Sequence, residues 1–257
     1  MKHLFGLLAG GAAAVLLTSC GNYLYSDVKT EEIFRQIPSA APRDHAINTL
    51  QFDYQIKDSP DLKSLTVFLK EDGRMNLTYA GTKKNSFEIR MKDHKAVRYD
   101  VDSKVFTELT DPDTLAALDF FYDVNFKGIE PLARKISLVS RDPQRPDSDT
   151  PSSYLFAIET KKDYHIKDLH VYVDAVKHYV VRMNYERVEE GREIPVSNSY
   201  REIVLKDNIA VPKKVVSNFM GMTYTLELQE FRSNGKLPDS LFELSAPKDG
   251  ASAGDKK

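Results

Sequence analysis

The sequence has one cysteine, no tryptophan and almost no net charge. A single Cys excludes an intramolecular disulfide framework and any site built on two or more thiolates. The formal net charge is −2, from 36 Lys+Arg against 38 Asp+Glu. Such a balance supplies no general attraction to nucleic acid or to anionic lipid. Beyond the N-terminus no apolar stretch approaches the length of a spanning helix. No GxSxG, P-loop, GxGxxG or HExxH pattern occurs. The expectation is a protein that is not an enzyme and holds no cofactor or metal. What is present is the composition of a folded chain, 41% hydrophobic and 29% charged over 257 residues, long enough to bury a core without covalent staples.

The position of the cysteine is informative. Lys2 and His3 precede an uncharged run from Leu4 to Leu17, followed by Thr18, Ser19, Cys20 and Gly21. That run is too short to cross about 30 Å of hydrocarbon at about 1.5 Å per residue. A basic start, a short apolar core and small residues before a cut site predict a secretory signal over residues 1–19. Leu17-Thr18-Ser19-Cys20 resembles the lipobox of bacterial lipoproteins. The resemblance implies that the chain is cut before Cys20, that the Cys20 thiol is diacylated, and that the new amino group also carries an acyl chain such as palmitate. Two or three chains make a stable anchor where one is marginal. No Asp follows in Gly21-Asn22, which by the enterobacterial sorting rule implies the outer membrane, facing the periplasm. The alternative is an ordinary signal peptide that contains a Cys.

Residues 20–48 form a lead-in. Thr30 to Ile37 fits a short amphipathic helix, with Thr30 as N-cap, Ile33, Phe34 and Ile37 on one face, and Pro38 and Pro42 ending it. From Leu50 the hydrophobic period falls from 3.6 to 2. Leu50, Phe52, Tyr54 and Ile56 alternate with polar residues, and the pattern repeats at Leu65–Leu69, Met75–Tyr79, Phe87–Met91, Val97–Val101 and Val105–Leu109. Glu71-Asp72-Gly73-Arg74 reads as a hairpin turn. One helix interrupts the strands, with Asp111 as N-cap, Pro112 at the first helical position, and Leu115, Leu118, Phe121 and Tyr122 as its apolar face. A second short helix is predicted at Ile129–Ile136 and an exposed loop at Arg141–Ser153. Strands resume at Tyr154 and continue to Leu228, and Phe242–Leu244 reads as a last extended piece. Residues 248–257 read as a disordered tail.

The prediction is therefore a mainly β protein: a single antiparallel sheet of about eleven strands over residues 49–247, with two or three helices. So few helices cannot cover so many strands, so the sheet must curl into a barrel or half-barrel. Its interior is either a dry cavity lined by Phe, Tyr, Leu, Val and Met, suited to acyl chains, or a fully packed core.

Several short stretches resemble the LolA-like family. These are His94-Lys95-Ala96-Val97-Arg98-Tyr99-Asp100 with Ser103-Lys104, Leu169-His170-Val171-Tyr172-Val173-Asp174 with Tyr179-Val180-Val181-Arg182, Val211-Pro212, and Asn234-Gly235-Lys236-Leu237-Pro238-Asp239-Ser240-Leu241-Phe242. Their order covers about residues 30–247. The resemblance implies an unclosed β-barrel with helices as a lid over a hydrophobic cavity. It implies binding of lipid or lipoprotein acyl chains, as in lipoprotein sorting, with the membrane reached through the Cys20 anchor and no nucleic-acid partner. An envelope sensor or scaffold using the same fold without lipid cargo is the alternative. The helix Asp111–Tyr122 is the candidate lid. The chain departs from the family in lacking Trp, and Cys20 is the one site residue the resemblance transfers.

Other chemistry is poorly supported. His170 and His178 lie near one hairpin, but a zinc site needs three or four convergent ligands. Asp111, Asp113 and Asp119 have neither the spacing nor the loop Gly of a calcium loop, and read as helix-terminal residues.

Overall fold

The computed structural model describes residues 25–37, 47–82, 85–142, 152–207 and 209–245. Cys20, the predicted signal over 1–19 and the predicted tail over 248–257 lie outside the described residues. Among the described residues no helix is long and apolar enough to cross a membrane.

Thirteen strands form one antiparallel sheet. They are β1 (Thr49–Lys57), β2 (Leu62–Lys70), β3 (Met75–Gly81), β4 (Phe87–Lys92), β5 (Lys95–Asp100), β6 (Val105–Leu109), β7 (Ala133–Asp142), β8 (Ser153–Thr160), β9 (Ile166–Asp174), β10 (Val180–Glu189), β11 (Arg192–Lys206), β12 (Ile209–Phe219) and β13 (Met222–Ser233). The spatial order is β6-β5-β4-β3-β2-β1-β13-β12-β11-β10-β9-β8-β7. Each half is a meander, and β1 pairs with β13 where the halves join. The strands at the two ends, β6 and β7, do not pair, so the barrel stays open.

The alternation read in the sequence sets the register. Leu50, Phe52, Tyr54 and Ile56 of β1 are buried on one face, as are Leu65, Val67 and Leu69 of β2 and Phe87, Ile89 and Met91 of β4. Turn chemistry fixes the connections. Gly73 takes φ 88°, and Asp93 and His94 both take positive φ in the two-residue β4–β5 turn, the geometry that matches strand twist.

Helix α1 (Val28–Arg35) begins two residues before the predicted start. Its N-cap is Asp27, whose Oδ1 accepts from Thr30 N at 2.7 Å. Thr30 is fully buried, and its Oγ1 accepts from Leu138 N in β7. Tyr25 forms a parallel bridge with Ile136, and Ser26 N donates to Ile136 O at 2.8 Å. The lead-in thus satisfies part of the exposed backbone of the β7 edge, which would otherwise invite pairing with another chain. Phe34 packs edge-on against Phe156 of β8 at 5.2 Å.

Two sequence expectations are corrected in outline. The count of about eleven strands is thirteen, mainly because Ile129–Ile136 is not a helix. A 3-10 turn at Glu130–Leu132 leads directly into β7. Ile129, Leu132, Ala133 and Ile136 have helical spacing, but pairing with β8 decides their conformation. Likewise Phe242–Leu244 is not extended, because Asp239–Phe242 forms a 3-10 turn. Its Leu241 carbonyl accepts from the buried Asn76 side chain of β3 at 2.6 Å, on the face of β3 opposite Leu77.

Candidate functional site

Every connection but one joins neighbouring strands. The exception runs from β6 to β7, from one free edge of the sheet to the other, and it contains helix α2 (Pro112–Tyr122). The predicted start is correct: Asp111 Oδ2 accepts from Thr114 N at 3.0 Å and from Thr114 Oγ1 at 2.6 Å, with Pro112 in the first turn. A helix with one apolar stripe lies on a surface, but one apolar on most sides is buried. Leu115, Ala116 and Ala117 flank the fully buried Leu118, and Phe120, Phe121 and Tyr122 are all at most 3% exposed. The helix continues into a π-helical turn (Asp123–Lys127), where Val124, Asn125 and Phe126 are also buried. Gly128 ends it at φ 83°. The predicted lid is therefore also a plug.

The floor beneath it is apolar and tightly filled. Phe121 and Asn125 meet Phe52, Tyr54, Leu65, Val67 and Leu226 of β1, β2 and β13, leaving a void of about 10 Å³. That is room for about one water molecule. Phe120 sits edge-on between Tyr164 at 5.4 Å and Tyr185 at 5.2 Å. Any acyl chain that is to lie between α2 and this floor must displace α2.

Polar ties hold α2 to both halves of the sheet. Toward the first half, Tyr122 Oη donates to Lys70 O at 2.6 Å and accepts from Gly73 N at 3.0 Å, both in the β2–β3 hairpin. Asp119 faces His94 of the β4–β5 turn at 3.2 Å. Toward the second half, Asp119 also pairs with Lys162. Asp123 Oδ2 accepts from Tyr164 Oη at 2.7 Å. Asp113 Oδ1 lies 2.6 Å from His165 Nδ1, and its Oδ2 accepts from Glu190 N at 3.0 Å. Burial pushes the Asp113 carboxyl up, but the His165 and Glu190 hydrogen bonds outweigh it and hold the group below the usual carboxylate range. Burial, then the bond to Asp123, pushes the Tyr164 phenol well above its usual range. α2 is thus a strap across the open side of the sheet, tied to four hairpins or loops.

The carboxylates of this helix read from sequence only as helix-terminal residues. Asp111 is that, whereas Asp113 and Asp119 tie the strap to the sheet. His94 and His165 are drawn to it, while His170 lies in β9 and His178 in the β9–β10 turn. Among the described residues no group of three or more His, Cys, Asp or Glu is placed to hold a metal. The sequence reading missed Arg187. It follows Met183 and Tyr185 on the inward register of β10 and is 4% exposed. Simple alternation places it there. Its Nη2 pairs with Glu189 Oε1 at 2.7 Å, and its guanidinium lies 5.9 Å from the Phe219 ring centre.

No protein-family model and no curated protein matches the chain. Solved structures do. A LolA superfamily protein from Nitrosomonas europaea superposes with a TM-score of 0.53 at 13% identity, over 83% of this chain and 97% of its own. A domain from Vibrio parahaemolyticus named for outer membrane lipoprotein sorting gives 0.53 at 8% identity, over 82% and 93%. A DUF1329 family protein from Desulfovibrio piger gives 0.56 at 10% identity, over 84% and 93%. At these identities the likeness concerns the fold, and the fold is LolA-like: one antiparallel sheet, curled but not closed.

Proposed function

We propose that this chain is a non-catalytic, lipid-anchored envelope protein that shelters acyl chains, of lipids or of lipoproteins, in the concavity beneath α2. The observation that carries this reading is the strap. A mostly apolar helix is laid over an apolar floor and tied down by polar contacts at its rim. The names of the LolA superfamily and lipoprotein-sorting neighbours support the same class of cargo. Attachment is through Cys20, and the location proposed is the outer membrane, facing the periplasm.

Magnitudes make the exchange reasonable. Withdrawing Leu118, Phe120, Phe121, Val124 and Phe126 exposes five side chains, at a cost of about 7–15 kcal/mol. Burying about fifteen methylenes of one acyl chain returns about 12 kcal/mol at about 0.8 kcal/mol each. The strap and an acyl chain therefore compete for the floor on nearly equal terms, which favours reversible loading.

The packing at Phe121 and Asn125, with its void of about 10 Å³, favours a second reading. Here the filled core is permanent, and the protein senses or scaffolds an envelope partner without cargo. The two are separated by purifying the Cys20→Ala chain, extracting it with organic solvent and identifying lipid by mass spectrometry, alongside titration with a fluorescent fatty acid. Co-purified lipid or saturable binding supports the carrier. Absence of both leaves the scaffold reading.

A further inference from the structure

We propose that the edge formed by α1 and β7 is the face that rests on the bilayer, with Val28 and Val139 entering the outermost lipid beside the point where the chain joins the sheet. The proposal rests on the Cys20 anchor of the acyl-sheltering reading.

A tether sets where a lipid surface lies. The chain joins the sheet at Tyr25, which bridges to Ile136 of β7, and Ser26 N donates to Ile136 O at 2.8 Å. Cys20 precedes Tyr25 by five residues. Fully extended, these span at most about 17 Å, at about 3.4 Å each. A bilayer that holds Cys20 by its acyl chains therefore runs within about that distance of the β7 edge.

Two exposed apolar side chains stand at this edge. Val28 is 70% and Val139 54% exposed. Each lies three residues beyond one partner of the Tyr25–Ile136 bridge. Thr30 Oγ1, two residues past Val28, accepts from the backbone N–H of Leu138, the neighbour of Val139, at 3.2 Å. Single exposed valines are ordinary on a protein surface. Their place beside the tether is what gives these two a role, because the anchor has already removed most of the freedom that a dissolved protein loses on binding. Scaled by their exposure, burying both favours the contact by roughly 20-fold. That is too little to hold a free protein to lipid, but enough to orient a tethered one. Charge does not set the contact: Lys29 and Arg141 are exposed here, and so are Asp27 and Glu32. This orientation also puts the trailing end of the strap on the lipid side. Tyr25 Oη donates to Glu130 Oε1 at 2.5 Å, and Glu130 follows α2 in the crossing connection. Acyl chains would then reach the concavity past the end of α2, not past its start at Asp111.

The absence of Trp gives the test one reporter at a time. Val28→Trp and Val139→Trp are compared with Leu205→Trp and Met220→Trp. Leu205 and Met220 are 51% and 46% exposed, in β11 and just after β12, four or more strands from β7. Each acylated chain is purified in detergent and reconstituted into vesicles of phosphatidylethanolamine and phosphatidylglycerol, with or without bromine on the lipid chains. All four positions are on the surface, and circular dichroism checks each fold. Emission from Val28→Trp and Val139→Trp is expected to shift to the blue. Bromine should remove at least about twice the fraction of it that is lost at the other two positions, since an interfacial apolar contact reaches about 5–10 Å into the lipid. Stronger quenching at only one of the two supports the proposal and names the element that makes the contact. Quenching at both that is no stronger than at Leu205→Trp and Met220→Trp overturns it. So does a blue shift that bromine leaves unquenched, which assigns the face to a protein partner. In either case, flotation of the chain with the vesicles leaves the Cys20 anchor standing. A chain that does not float with the vesicles overturns both.

Discussion

Replacing Tyr164 by Phe removes one tie of the strap and little else. The hydroxyl donates to Asp123 Oδ2 at 2.7 Å, where Tyr164 is 4% and Asp123 8% exposed. The ring contact with Phe120 survives the change. The other carboxylate oxygen keeps its pair with Lys127 at 2.8 Å. A buried hydrogen bond to a charged group contributes about 1.5–3 kcal/mol. Taking about 2 kcal/mol, the equilibrium for lifting α2 shifts by roughly 30-fold. Thermal unfolding should fall by about 4–8 °C, at about 2–4 °C per kcal/mol for a chain of this size. If acyl chains enter only when the strap is lifted, apparent affinity scales with the lifted fraction. A fluorescent fatty acid should therefore bind roughly 30-fold more tightly to the less stable protein. Hydrogen exchange in α2 should quicken by a similar factor. The opposite signs are the point: stability falls while affinity rises. Affinity that falls together with stability, or does not change, would refute the claim that this bond restrains a strap covering the binding floor.

Other substitutions probe separate links. Tyr79 is fully buried, stacks on Phe87 at 4.7 Å, and its hydroxyl has no hydrogen-bond partner among the described residues. Tyr79→Phe should be neutral or stabilising by about 1 kcal/mol in urea unfolding, and a loss beyond that would mean the hydroxyl is engaged. Burial raises the Glu130 carboxyl above its usual range, despite the hydrogen bond from Tyr25 at 2.5 Å. A carboxyl raised by folding binds more protons when folded, so stability declines as pH rises from its unfolded pKa through its folded one. Glu130→Gln should remove that decline, with the variant gaining on the wild type in urea midpoints as pH rises above the ordinary Glu pKa of about 4.3; a constant difference would contradict this. Cys20→Ala should move the protein from the membrane to the soluble fraction, and continued membrane association would contradict the anchor.

The alternation of Leu50 to Ile56, of Phe87 to Met91 and of Met222 to Leu228 was legible because a strand with one buried face repeats every two residues. The cap at Asp111 and the turn at Gly73 were legible because they depend on neighbours in sequence. β7 was not, since its Ile129–Ile136 spacing fits a helix and pairing with β8 is a long-range contact. The start of α1 was misplaced for a related reason. Thr30 looks like a cap, yet its hydroxyl accepts from β7, while Asp27 caps the helix.

The same division holds at the candidate site. By itself the sequence determined that the protein is mainly β, that α2 starts at Asp111–Pro112, and that Cys20 stands in a lipobox-like context, because these depend on local spacing. Only the tertiary structure decided that α2 links the two free edges of the sheet and lies inside the concavity. It alone brought His94, Tyr164, His165 and the Lys70 carbonyl to one helix from three separate hairpins or loops. The physical reason is that hydrophobic periodicity specifies which face of an element is buried, whereas the partner across that face depends on how the sheet curls and where the crossing connection is held.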